Sequence, residues 1–230
     1  MSRFRNRGGS KPIMIINHED KDYKKIGLAH NNGAFYFSEE ICKNIIPKVK
    51  TKRNWITVNS ENKCLDHSIV WIHNNEHPER YDFLENYKDL ILVCVFIETL
   101  REMIKRHPHA HCIYLPLSID TSYVKSFKPK RKTKNACHFG RDVKCPKEIL
   151  ENDKIDKISG TDREKLLGQV SKYKTVYAVD RCAIEAKCLG CKVIPYDLGY
   201  NHNDKFEVID NKTTAKELQR LLNEIDQVKG

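Results

Sequence analysis

The segment Tyr177-Ala-Val-Asp-Arg-Cys-Ala-Ile-Glu-Ala-Lys-Cys-Leu-Gly-Cys-Lys-Val-Ile-Pro195 decides the fold. Its approach, Thr175 to Val179, is β-branched and apolar and predicts a strand; a turn at Asp180 and a helix from about Arg181 to Leu189 follow. Gly190 can take the left-handed conformation that closes a helix, and Lys192 to Pro195 reads as the next strand. Strand, helix and strand in immediate succession make a βαβ unit, which commits the sheet to parallel pairing.

The same alternation extends outward. In the N-terminal half, Ile13–Ile16, Trp55–Val58, Ile69–Ile72, Leu90–Val95 and Cys112–Leu115 read as strands. Several are continuously apolar, as strands covered on both faces are. Helices are expected over Phe35–Ile46 after Asn31-Asn-Gly33, over 79–88, and over 96–106, where Ile97, Leu100, Met103 and Ile104 share a face. From Pro116 to Lys134 apolar residues thin out, and Lys128-Pro-Lys-Arg-Lys-Thr-Lys134 reads as a solvated basic linker. The pattern then restarts with strands at Ala136–Phe139 and Ile155–Ile158. Capping boxes at Thr161-x-x-Glu164 and Thr214-x-x-Glu217 open two further helices, the last lining up Leu218, Leu221, Leu222, Ile225 and Val228. The expectation is an α/β chain of two small Rossmann-like domains, residues 1–125 and 126–230.

Composition narrows the function classes. Of 230 residues 40 % are hydrophobic, enough for a core, and no apolar run approaches the roughly 20 residues of a spanning helix. Without a secretory leader pattern the reading is soluble and cytoplasmic, with the nine cysteines reduced and mostly packed. Lys and Arg number 41 against 31 Asp and Glu, a net charge of +10, so an anionic partner is expected. Cys188-x-x-Cys191 and the histidines of His107-Pro-His-Ala-His111 lack a second zinc half-site at finger distance, so no metal is assigned. Walker, G-x-G-x-x-G and G-x-S-x-G motifs are absent.

The helix at Arg181 directs its first N–H groups and the positive end of its dipole to the carboxyl edge of the sheet, where open α/β folds bind ligands. Arg181, Cys182 and Ala183 form that first turn. Glu185, one turn in, could accept hydrogen bonds from a ribose diol, although an exposed helix acid is the ordinary reading of an isolated Glu.

Ile184-Glu-Ala186, Gly190 and Val193-Ile194 resemble, in order and spacing, the donor-site signature of GT-B-fold glycosyltransferases. The first Glu of the longer E-x7-E form is missing: Tyr177 stands there, and the nearest acid is Asp180. Ala136-Cys-His-Phe-Gly-Arg-Asp-Val-Lys-Cys-Pro-Lys147 looks like the first strand and loop of that family's C-terminal domain. The resemblance implies that Gly140 lets backbone approach a diphosphate and that Arg141, with Lys144 or Lys147, neutralises its charge. Leu115-Pro-Leu-Ser-Ile-Asp120 resembles the strand exit that ends the N-terminal domain. These matches span most of residues 112–195.

The resemblance implies two domains facing each other, an acceptor side at 1–125 and a nucleotide-sugar side at 126–230. It implies a hexosyltransferase taking a nucleotide-diphosphate sugar such as UDP-glucose, without a further cofactor. The hydroxyl acceptor is open, and modified DNA is one of those considered. Catalysis would need a base from the first domain: His18 or Asp20 after the first strand, or His73 after a later one. Gly33 could lie near the diphosphate. The competing reading is a non-catalytic nucleic-acid-binding protein that uses the basic arm and linker.

Overall fold

A computed structural model describes residues 15–16, 33–56, 64–73, 78–142, 145–160, 162–196 and 206–228. It holds two sheets. The first contains β1 (Ile15–Ile16), β2 (Asn54–Ile56), β3 (Ser68–Ile72), β4 (Ile91–Cys94) and β5 (His111–Tyr114), side by side in that order. Strands β2 to β5 are parallel, and β1 runs antiparallel to β2. The second contains β6 (Lys134–Phe139), β7 (Asp156–Ile158), β8 (Tyr173–Tyr177) and β9 (Lys192–Ile194), all parallel, in the order β7-β6-β8-β9.

Side-chain alternation explains why β3 and β4 are apolar throughout. Ile69, Trp71, Ile91 and Val93 point into one core with Phe37, Ile41 and Leu218. Val70, Ile72, Leu92 and Cys94 point into another with Tyr81, Leu84 and Met103. With both faces covered, each residue is fully removed from water, a gain of about 1.5–3 kcal/mol for each large aliphatic side chain.

The helices are α1 (Gly33–Glu40), α2 (Ile97–Arg106), α3 (Thr121–Ser126), α4 (Lys147–Leu150), α5 (Arg163–Val170), α6 (Asp180–Cys188) and α7 (Asn211–Val228). None of the described helices is long and apolar enough to cross a membrane. The expected helix at Phe35–Ile46 starts as α1 but widens into a π turn at Ile41–Ile45 and tightens into a 3-10 turn at Ile46–Lys48, where Pro47 lacks an N–H to continue the ladder. Residues 78–86 form a 3-10 helix in place of the expected α-helix. Strand β8 begins and ends two residues before its expected span, because Ala178 and Val179 lead into α6. The boxes at Thr161 and Thr214 are not the helix starts. Asp162 caps α5 by accepting from Lys165 N at 3.0 Å. At α7, Asp210 accepts from Lys212 N at 2.9 Å and Thr214 is buried inside the helix. Helices α3 and α4 were not expected. Residues 13–14 and 57–58 of two expected strands lie outside the described residues.

Two segments cross between the sheets, one after β5 and one after β9. They meet: Ile119 N donates to Ile209 O at 3.0 Å, and Asn211 N donates to Ile119 O at 3.1 Å. Helix α7 then runs back along the first sheet's side of the molecule. Gln219 Oε1 accepts from Lys50 N at 2.5 Å, and Asp226 pairs with the buried Arg53 at 3.0 Å. The division drawn at 125/126 therefore places by sequence in the second unit a helix that packs with the first.

Candidate functional site

Strand order locates the site. From β6 the chain passes through α4 to β7 on one side; it then crosses to β8 on the other side of β6 and continues outward to β9. The connections leaving β6 and β8 diverge at their carboxyl ends, the switch point at which doubly wound sheets place their ligand crevice. Gly140 and Arg141 follow β6, and α6 starts just after β8. Sequence reasoning paired these two segments, and the topology makes them neighbours.

Gly140 has φ +151°, a conformation costly for a side-chain-bearing residue, and its N–H donates to Ile158 O at 3.3 Å. Arg141 is exposed and close enough to act electrostatically on Cys182. Lys147, the first residue of α4, is exposed; Lys144 lies outside the described residues. At α6 no side chain caps the N-terminus, and Asp180 stands at φ +50°. Ala183 is buried, and burial together with the Glu185 and Asp180 charges pushes the Cys182 thiol up, leaving a protonated, unreactive group.

Below Gly140, His138 is fully buried on β6 and shares a 3.1 Å hydrogen bond with Tyr196 Oη. Its Nδ1 is 3.7 Å from Asp142 Oδ1, too long for a hydrogen bond. Burial, aided by Lys157, outweighs the attraction of Asp142 and holds the imidazole pKa below its ordinary value. The sequence reading missed this histidine.

A second opening lies between the sheets. Val95 and Phe96 after β4 and Pro116 and Leu117 after β5 face Asp180 and Ile184 of α6, with Phe206 and Glu207 at the side. The space is small, about the size of a water molecule, and partly open to solvent. His73 follows β3 on this edge, with its ring 5.3 Å from Phe37 and 5.9 Å from Phe96. Gly33 is the first residue of α1. His18 and Asp20 lie outside the described residues.

Glu185 is placed differently from its expected role. It is 3 % exposed, and its Oε1 accepts from Arg181 Nε at 2.8 Å and forms an ion pair with Arg163 Nη2 at 2.9 Å. A ribose diol needs an accessible carboxylate, and this one is enclosed by two guanidinium groups. Both arginines also hold Glu40 of α1: Arg163 at 2.7 Å, and Arg181 through Nη2. Glu40 Oε2 accepts from Asn211 Nδ2 at 2.7 Å and from Asp120 N at 3.1 Å, and Ser118 Oγ donates to Asn211 Oδ1 at 2.7 Å. Two acids and two arginines thus neutralise one another where α1, α5, α6 and the crossing segments meet. Burial alone would raise the Glu40 pKa, but Arg181, Arg163 and Asn211 hold it below the ordinary carboxylate range. The signal for Glu40 was a carboxylate on the apolar stripe of a helix, three residues after buried Phe37.

Among the described residues no three His, Cys, Asp or Glu side chains gather as metal ligands would. Cys188 and Cys191 instead donate to different carbonyls, of Thr121 and Val170. No family model matches the chain, and no match was found among curated proteins.

Proposed function

We propose that this protein is a glycosyltransferase that holds a nucleotide-diphosphate sugar at the β6–β8 crevice and passes the sugar to a hydroxyl in the opening between the sheets. The observation that supports this reading is the switch in strand order, which brings Gly140-Arg141 beside the uncapped start of α6. The resemblance of residues 112–195 to GT-B donor sites gives the sugar nucleotide in place of another anion.

The assignment of roles follows from position. Arg141 and the first-turn N–H groups of α6 take the diphosphate, whose charge grows as the bond to the anomeric carbon breaks. Asp180, on the wall of the inter-sheet opening, is the acid placed to meet sugar hydroxyls. The acceptor oxygen attacks the anomeric carbon, the nucleotide diphosphate leaves with the bonding pair, and the acceptor proton passes to a base. Among the described candidates that base is His73. Glu185 holds α6 in place through Arg181 and does not touch the ribose.

Calorimetric titration with UDP tests the site. Wild type binds, and Arg141→Ala weakens binding about 10- to 100-fold, the loss of one charge-assisted hydrogen bond. Equal affinity in both would remove Arg141 from the site. Release of nucleotide from a panel beginning with UDP-glucose tests the reaction, and no turnover with any donor would overturn it.

A further inference from the structure

The amino edge of the second sheet, opposite the crevice, carries the basic run that the sequence reading treated as a solvated linker. Its middle is fixed. Lys132 Nζ donates to Ser171 O at 3.0 Å and to Leu189 O at 3.2 Å, meeting carbonyls at the C-terminal ends of α5 and α6. The backbone N–H groups of Thr133 and Lys134 both donate to Lys172 O, at 2.9 and 3.0 Å. Lys128 lies against Gly190, its Nζ 3.4 Å from where a β-carbon would stand. Lys172 and Lys192 enter β8 and β9 on the same edge.

Lys132 meets the helix carbonyls by itself, so helix capping does not account for the others. Lys128, Lys130, Arg131, Lys172 and Lys192 are all exposed, and none has an ion-pair partner among the described residues. Asp156 on this edge is taken by Lys134 at 3.2 Å and by Tyr173 Oη at 2.6 Å.

We propose that this edge is a docking surface for a nucleic-acid duplex gripped through its phosphates. A duplex presents about one negative charge per 1.7 Å of axis, and neighbouring parallel strands present their first residues roughly 4.8 Å apart, so a row of lysines meets several phosphates at once. Other polyanions fit less well. Membrane docking needs apolar side chains to insert, and among the described residues the exposed large apolar ones, Leu65, Ile97, Ile104 and Val228, all belong to the first sheet's side of the molecule. Protein interfaces are depleted in lysine and anchored by aromatics. Single strands need exposed rings for stacking, whereas Phe127 packs on Tyr123 at 5.3 Å and Tyr173 is buried. Lysines act as point charges, so contact without base readout is expected.

The test is fluorescence anisotropy of a labelled duplex of about 20 base pairs, titrated between roughly 50 and 200 mM salt, with wild type and the triple variant K128E/K130E/R131E. Wild type binds and weakens steeply with salt. The triple variant loses at least about tenfold in affinity, and its log–log salt slope shrinks by about 2 to 3, near 0.9 for each phosphate contact removed. K192E, on a different element, gives a smaller shift in the same direction. Circular dichroism melts report whether each variant is folded; if the triple variant is unfolded, K128Q/K130Q/R131Q and K192E carry the comparison. Unchanged affinity and slope in the folded variants, or tighter binding of wild type to phosphatidylserine vesicles than to the duplex, would overturn the proposal. UDP affinity stays at the wild-type level in the triple variant, which separates this surface from the proposed donor site.

Discussion

The two sheets differ in how the chain lays them down. In the first, β2 to β5 are added one after another in the same direction, so successive connections run in parallel and leave no divergence among them. In the second, the chain goes out from β6 to β7 and returns across it to β8. That reversal sends the loops after β6 and β8 apart at their carboxyl edge, the kind of switch point where doubly wound sheets bind ligands. Similar apolar strands thus produce a continuous wall in one half and a crevice in the other. The wall contributes Phe96 and Leu117 to the inter-sheet opening, while Gly140 and Arg141 stand at the carboxyl edge of the second sheet.

The largest test of this division is the joint between the halves. Among the described residues Glu40 is the carboxylate the first half sends into the buried ion network, and Glu40→Ala removes one of the two acids that Arg163 and Arg181 share. A loss of about 3–5 kcal/mol is expected in urea unfolding, the cost of stripping a partner from buried charge. A change below about 1 kcal/mol would mean that apolar packing alone joins the halves. Arg181→Met combined with Glu40→Leu recovers much of the loss, since neutral side chains of similar volume carry no desolvation penalty.

A smaller effect comes from pH. The Glu40 carboxyl is held below its ordinary value of 4.5 in the folded protein. A depressed carboxylate contributes stability that is fully present above that value and lost as pH falls through the folded pKa. Acid titration of wild type should therefore show stability falling below about pH 4.5 through this group, and Glu40→Gln should flatten that part of the curve. An unaltered acid limb in Glu40→Gln would assign the loss to other carboxylates.

The smallest effect sharpens the contrast within the helices. Helix α2, beside the first sheet, follows Phe96 without a side-chain cap, whereas α5, beside the second, is capped by Asp162. Asp162→Ala is expected to cost about 1 kcal/mol, read from thermal melts, and no change would show that the cap is idle.

Local pattern recorded most of this architecture. Ile69–Ile72 and Leu90–Val95 could be read as covered strands because burial on both faces demands unbroken apolar sequence, and Gly190 marked the end of α6 because its φ of +74° favours glycine. The failures share a cause. The start of α7 is set by Asp210, whose carboxylate also accepts from Thr121 N and Oγ1, a contact across 89 residues that no local motif announces. Glu185 was read correctly as one turn into a helix, but its partner Glu40, reached through Arg181, lies 141 residues from that arginine. Periodicity shows that a side chain faces inward and does not show which charge waits there.

The pairing of Ile119 with Ile209 and Asn211 carries a mechanical consequence. Two tethers bonded side by side define a line, and bodies joined along a line retain one easy rotation, the swing of a book about its spine. Torsion across the spine would shear the two backbone hydrogen bonds that zip the tethers together. Any change in the width of the inter-sheet opening would therefore follow a single angle, and the ion network around Glu40 is the clasp that sets its resting value.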